Sequence, residues 1–338
     1  MTANPTQITA ARADPRKILV AIPTLNEERF IGATLDDLMA QAPQMRDVRI
    51  VVADGGSTDR TREMVAEAAK KYPNVSLIDN PGRLQAAGVN EVVTCCAEPQ
   101  HEILVRVDAH ARYKPGYVLR VADSLIEHDA AAVATVMDSI GDTCFQKGLA
   151  WVVGSKVGSG GAGHRGGRKS GYVDHGHHAG FDLAIFRAVD GYDTTFIANE
   201  DAELDFRIRD RGGRIWLDAT IRMGYIVRES HSKLLRQYWR YGRGRAQTLR
   251  KHQIRPRLRQ VIPPIAVVGS VLGLALAPIF PIALAVPGLY LLLVVVTTAY
   301  FTRKHRSACG LWGASSLISM HFAWGLGFLA ELLLPLRR

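Results

Sequence analysis

Three sets of acids stand where chemistry could use them. Asp54 closes the apolar run in "IVVADGGSTDRT" (50–61), Asp108 follows "EILVRV" (102–107), and Glu200, Asp201, Glu203 and Asp205 crowd "NEDAELDFRIR" (199–209). An ionised group at the end of a buried strand is costly unless it has a partner. Asp54 therefore either begins a turn or faces something that docks there. Acids also favour a helix amino terminus, which is one account of residues 200–205. The other is a catalytic carboxylate, because the cluster follows segments that already end on Asp54 and Asp108. Asp174, His175, His177 and His178 could ligate a metal, but they lack regular ligand spacing. A polar loop lining a cleft is the alternative for them. No GxSxG elbow marks a nucleophile, and GxxxxGK[ST] fails because Arg168 intervenes.

The elements that must position these groups alternate in type. Strands are expected at 17–23, 48–53, 75–79, 102–107 and 131–137. Helices are expected after Asn26 (with Phe30, Ile31, Leu35 and Leu38 on one face), from Asp59 to about Lys71, near 83–95, and from about Pro115 to His128. Asn26 and Asp59 are the candidate helix caps. Such alternation implies a parallel sheet covered by helices on both faces, and ligands bind outside the carboxyl ends of strands in such sheets. Pro23, Asn26, Glu27, Asp54 and Asp108 all fall at that edge. Residues 154–180, rich in Gly and His, read as a mobile loop that closes over substrate.

The chain has 338 residues and a formal charge of +10. From Arg228 to Arg259 there are eleven Lys or Arg and a single acid, Glu229, so the whole excess lies there. Val261–Phe301 then carries no charge over forty-one residues, enough to cross a bilayer twice. A third apolar stretch, Leu311–Leu334, is interrupted only by His321 and Glu331. Basic residues before a span fit a cytoplasmic flank and attract anionic lipids, and a nucleic-acid partner is not expected. Residues 1–17 lack an apolar centre, so no signal peptide is expected. Cys95, Cys96, Cys144 and Cys309 show no CxxC spacing and read as core or reduced thiols rather than a disulfide framework or zinc site.

Taken in order, these segments resemble the inverting family-2 glycosyltransferases of the GT-A fold over about residues 17–250. "IPTLNEERFIGATLDDL" resembles the opening strand and nucleotide loop, "VVADGGSTDRT" the uridine segment, "VRVDAHA" the metal-binding DxD, "HHAGFDLAIFRAVDGYD" the acceptor side, "NEDAELDFRIR" the ED motif, and "RQYWRYGRGRA" the late basic-aromatic segment. The resemblance implies an α/β fold: a Rossmann-like mixed, mostly parallel sheet with helices on both faces, plus carboxyl-terminal membrane helices. It implies that Pro23, Asn26, Glu27 and Asp54 bind the nucleotide, with Asp54 accepting from uracil. Asp108 would hold a divalent cation, Mn²⁺ or Mg²⁺, across the phosphates, and Asp201 would be the general base. His178, Gly180 and Glu200 fall on the acceptor side. The second DxD acid is His110 here, which either ligates directly or leaves Asp108 to act through water. His231 is a further candidate ligand, or else a helix cap or surface residue. Arg240 and Arg243 contact pyrophosphate, or belong to a basic membrane-adjacent helix.

The boundaries that follow are a tail over 1–16, a catalytic domain over 17–232, a basic interfacial segment over 233–260, and membrane segments at about 261–280, 282–301 and 311–335. The last of these crosses, re-enters or lies at the interface. The length, tail and "DAH" variant resemble exopolysaccharide glucosyltransferases of succinoglycan assembly. That implies β-1,3-glucose transfer from UDP-glucose to a polyprenyl-diphosphate-linked galactose at the cytoplasmic face of a bacterial inner membrane, with other assembly enzymes as further partners. The alternatives are a polyprenyl-phosphate hexosyltransferase and a non-catalytic nucleotide-sugar-binding scaffold.

Overall fold

The computed structural model describes residues 13–40 and 43–334. Most of the expected tail (1–16), and Arg337 and Arg338, lie outside them. In chain order the elements are β1 (Ile18–Thr24), α1 (Ile31–Met39), β2 (Arg49–Asp54), α2 (Thr61–Lys71), β3 (Val75–Asp79), α3 (Gln85–Cys96), β4 (Ile103–Arg106), β5 (Ala111–Tyr113), α4 (Tyr117–Glu127), β6 (Ala132–Ile140), α5 (Cys144–Val153), α6 (Lys156–Ser159), β7 (Gly171–Val173), β8 (His177–Asp182), α7 (Leu183–Ala188), α8 (Glu200–Asp210), β9 (Ile215–Ile226), α9 (His231–Lys251), α10 (Leu258–Leu276), α11 (Ala285–His305) and α12 (Trp312–Leu333). The chain divides into two compact units. The first is Met1–Val136, Arg168–Thr194 and Leu204–Met223; the second is Met137–Gly167, Thr195–Glu203 and Gly224–Arg338.

The sheet runs β3-β2-β1-β4-β8-β6-β9-β5, with β7 paired to β9. β1, β2, β3 and β4 are parallel; β8 is antiparallel to both β4 and β6. Leu19, Val51, Leu104, Ala134 and Phe181 are fully buried in its core. Register places Thr24 beside Asp54 and Asp54 beside Asp79, so the carboxyl edge is polar by construction. Pro23 is tolerated in a central strand because β4 pairs only as far as Ala21.

Two expectations fail here. Asn26 does not cap α1: Phe30 occupies that position, and Asn26 sits at φ +56°. Its side-chain oxygen instead accepts from the Thr58 backbone at 2.9 Å, tying the β1 loop to the β2 loop. The stretch 154–180 is not one loop, since it contains α6, β7 and the start of the central strand β8. Its glycines disguised the strand. A Cβ at Gly176 would overlap the Ala134 side chain, and one at Gly180 the Val121 side chain, so close packing requires both.

In the second unit, α9 lies along α12. Gly242 meets the Trp324 carbonyl and Gly327 the Trp239 carbonyl, with no room for a Cβ at either. His231 at the start of α9 is near Trp312 at the start of α12, and Arg243 further on pairs with Glu331 at 2.9 Å. Cys144 and Cys309 form a disulfide, which corrects the free-thiol reading for that pair. Their Cα atoms stand 4.8 Å apart because Gly148 lets α5 press onto the turn before α12; nothing in a 165-residue separation signals that. Three helical segments, Leu258–Leu276, Pro281–His305 and Ala308–Leu333, are long and apolar enough to cross a membrane.

Candidate active site

Within the first unit, the β1 and β2 loops are laced together at the sheet edge. The Glu27 backbone N–H donates to Thr61 Oγ1 (2.7 Å), that of Glu28 to Asp59 (3.1 Å), and that of Arg60 to Glu28 (3.0 Å). Arg60, not Asp59, occupies the cap position of α2, and Asp59 instead accepts from the Thr61 N–H at the start of that helix. The Asp54 carboxylate is fully buried. It accepts from the Gly56 and Ser57 backbone, from the Ser57 hydroxyl and from Arg62. Burial raises its pKa, but the Ser57 hydroxyl and Arg62 outweigh that and hold it below the usual carboxylate range. The opening alternative thus leans toward the turn: Asp54 shapes the loop from inside.

Asp108 follows β4 and receives the side chains of neighbouring elements. Gln85, opening α3, donates to Oδ1 at 2.8 Å. Arg106, two residues back and on the same strand face, brings its Nε to 3.4 Å. His177 at the start of β8 brings Nε2 to 3.4 Å of Oδ2. Burial works against the charge on Asp108, yet the Arg106 guanidinium and His177 keep it well below the ordinary range. Tyr113 and Asp108 exchange hydrogen bonds through the phenol and the backbone, and Thr34 donates to the Ala109 carbonyl, fixing the loop. His110 Nδ1 lies 2.8 Å from Glu27 Oε1.

The residues fit a divalent cation in a limited way. A carboxylate at Nδ1 makes Nε2 the lone-pair nitrogen of His110, the arrangement that orients metal-bound imidazoles. Among the described residues no group of three His, Cys, Asp or Glu stands in ligand geometry. Asp108 and His110 would therefore leave most of the shell to substrate oxygens and water, as Mg²⁺ commonly does. The histidine cluster of the Gly-rich stretch divides instead. His177 and His178 point to opposite faces of β8. His178 Nε2 pairs with Asp205, and His175 Nδ1 lies 2.6 Å from the same carboxylate. His178 and Gly180 are interior, 1% exposed in the case of His178, so their setting is the sheet rather than an acceptor-facing surface. Burial raises the pKa of Asp205, and the two histidines more than reverse it.

Within the second unit, Asn199, Glu200 and Asp201 open α8 against α9. Asn199 (φ +64°) donates to the Tyr241 carbonyl at 2.7 Å and accepts from Arg245 at 3.3 Å. Glu203 is buried with Lys251 at 2.6 Å and His252 at 3.1 Å. Of the four acids, Glu203 and Asp205 are thus buried and committed to bases, while Glu200 and Asp201 are half-buried. His231 packs between Phe145 and Trp312, with ring centroids 4.5 and 5.7 Å away. Arg240 is exposed, and Arg243 is held by Glu331.

Sequence reasoning missed Gln85, Arg106 and Tyr113. Arg106 carried a signal, as a charge inside an apolar strand two residues from Asp108. Gln85 and Tyr113 carried none.

A mixed α/β sheet whose parallel half ends in these loops defines a GT-A-type fold. The model for "Glycosyl transferase family 2" matches residues 19–190, and the chain belongs to that family. It is 38% identical over 315 residues (93% of this chain, 94% of the relative) to the succinoglycan biosynthesis protein ExoA of Rhizobium meliloti (strain 1021). It is 24% identical over 242 residues (69% and 74%) to a dolichyl N-acetyl-alpha-D-glucosaminyl phosphate 3-beta-D-2,3-diacetamido-2,3-dideoxy-beta-D-glucuronosyltransferase of Methanococcus voltae. Among solved structures it is similar to the mannosyltransferase PcManGT from Pyrobaculum calidifontis, in complex with GDP-Man and Mn²⁺. That likeness has a TM-score of 0.60 at 19% identity and covers 98% of this chain and 91% of that one.

Proposed function

We propose that this glycosyltransferase moves glucose, with inversion, from UDP-glucose to a polyprenyl-diphosphate-linked galactose, forming a β-1,3 linkage at the cytoplasmic face of a bacterial inner membrane. The observation that carries the pathway class is the likeness, over almost the whole of both chains, to a succinoglycan biosynthesis protein. The donor, acceptor and linkage extend the resemblance of the sequence motifs.

Asp201 takes the proton of the acceptor hydroxyl as that oxygen attacks the anomeric carbon in line with the departing diphosphate. The bond to the diphosphate oxygen breaks, and configuration inverts. The place of Asp201 in "NEDAELDFRIR", matching the ED motif of the family, supports giving it this task. Pro23, Asn26 and Glu27 line the uridine pocket, on a loop whose shape Asp54 maintains. A divalent cation, Mn²⁺ or Mg²⁺, held by Asp108 and His110 would supply positive charge to the diphosphate. Gln85 and Arg106 orient the Asp108 carboxylate, and Glu27 fixes the tautomer of His110.

α10 and α11 form the crossing hairpin. α12 is flanked over its length by the basic helix α9 and lies along the membrane face with it, where exposed residues such as Arg240 meet anionic headgroups. The test is transfer in membranes, offering UDP- and GDP-sugars to lipid-linked mono- and disaccharides. UDP-glucose with the diphosphate-linked galactose is expected to give product. Transfer only from a GDP-sugar, or only to a lipid monophosphate, would replace this reading.

A further inference from the structure

Two arginines outside the described site share one small pocket in the second unit. Arg165 and Arg228 line it with Tyr225, Gln237, Tyr238 and Tyr241, over an apolar floor that includes Leu149 and Val153. The Arg165 guanidinium lies 5.0 Å from the centroid of the Tyr225 ring, and Tyr241 lines the same pocket. Gln237 lies 2.8 and 2.9 Å from the hydroxyls of Tyr225 and Tyr241. With its amide oxygen turned to Arg228, it accepts from that guanidinium at 3.2 and 3.3 Å. Among the described residues neither arginine has a carboxylate partner. The phenols cannot neutralise them, since burial pushes the pKa of Tyr238 and Tyr241 further up and keeps both protonated at neutral pH.

Two half-buried positive charges with no counter-ion are expensive in the resting protein. They are also what a bound anion repays, because each guanidinium offers five donors in a fork that suits phosphoryl oxygens. Arg240 and Arg243, read from the sequence as pyrophosphate contacts or as part of a basic membrane-adjacent helix, lie outside this pocket, and Arg243 is committed to Glu331. The location matters too. Tyr238, Tyr241 and Gln237 sit on α9, and Leu149 and Val153 on α5. Both helices pack on α12, a segment apolar enough for the membrane. A phosphorylated ligand with an apolar chain matches that pairing of charge and surface better than a free nucleotide does.

We infer that Arg165 and Arg228, with the tyrosine hydroxyls around them, form the binding site for the diphosphate of the lipid-linked acceptor. The shared chemistry is a diphosphate; its other possible source is the nucleotide. The inference rests on the proposed acceptor class.

The test uses the full chain in detergent and titrates farnesyl diphosphate, UDP and farnesol into the wild type, Arg165→Gln, Arg228→Gln and the double variant. Each single variant should lose about tenfold to a hundredfold in affinity for farnesyl diphosphate, the scale of charge-assisted hydrogen bonds. UDP affinity should stay as in the wild type, which also reports an intact fold. Unchanged farnesyl diphosphate affinity in the double variant overturns the site, as does wild-type protein that fails to bind this probe. A matching loss of UDP affinity gives the site to the nucleotide, and farnesol binding as tightly as its diphosphate makes it an apolar groove only; either overturns the inference. Should the double variant unfold, Arg165→Lys and Arg228→Lys decide. They keep the charge but not the fork, so weaker binding is expected and unchanged binding is contradictory. Wild-type protein that binds farnesyl diphosphate but no UDP-sugar would leave this site standing and defeat the proposed function.

Discussion

Glu27 Oε1 stands 2.8 Å from His110 Nδ1, so a residue of the loop after β1 orients the ring of His110, the residue proposed to help hold the cation. A carboxylate there holds the proton on Nδ1 and presents Nε2. Groups that orient a metal-binding side chain in this way typically contribute about tenfold to a hundredfold in metal affinity. Glu27→Gln should raise the Mn²⁺ concentration needed for half-maximal transfer by about that factor, and weaken Mn²⁺ binding seen by paramagnetic resonance. An unaltered Mn²⁺ requirement would leave Glu27 as a nucleotide contact only.

Asp54 is expected to matter for the loop more than for direct contact. Asp54→Ala removes the buried acceptor of donors from Gly56, Ser57 and Arg62; because those donors reach solvent, the total cost should be about 1–3 kcal/mol. The pH dependence follows from its lowered pKa. The stabilisation is fully present above the unfolded value near about 4 and is lost as pH falls through the lower folded value. Thermal unfolding at stepped pH tests this. Equal acid sensitivity of wild type and Asp54→Asn would remove Asp54 from the account.

The Asp205 pair with His175 and His178 gives a separate prediction. Asp205→Ala leaves the His175 and His178 ring nitrogens without their acceptor and should destabilise by about 1–3 kcal/mol, the cost of an unsatisfied buried polar group. Urea unfolding measures it. A shift below the smaller figure would mean that the ring nitrogens find other partners.

Much of the catalytic half was legible. β3 was expected at 75–79 and is found at Val75–Asp79, and the starts of α3 and α8 were expected within a few residues. These elements carry strong local periodicity. What failed depended on neighbours distant in sequence. Gly180 in β8 and Gly176 just before it are small because α4 and β6 press on them, so the glycine-rich approach to the strand imitated a loop. The Cys144–Cys309 bond arises from helix packing 165 residues apart. Of four adjacent acids, the sequence could not separate Glu203 and Asp205, which hold the fold, from Glu200 and Asp201. Their partners Lys251, His252, His175 and His178 come from other elements.

Gly176, directly before β8, tests how closely the approach to that strand packs on β6. Gly176→Ala drives a methyl into the Ala134 side chain, and overpacking of this kind costs about 1–3 kcal/mol. A mobile segment would absorb the change without loss, so an unshifted melting temperature would mean that the approach to β8 is not packed on β6.

The central claim is that a single carboxylate, Asp201, activates the acceptor. The direct measurement is the rate of glucose transfer from UDP-glucose to the lipid-linked acceptor in membranes carrying Asp201→Asn, beside UDP-glucose affinity in the same preparation. Removal of a general base should lower turnover by about 10²–10⁴-fold while the affinity is kept. Turnover near that of the wild type would contradict the account.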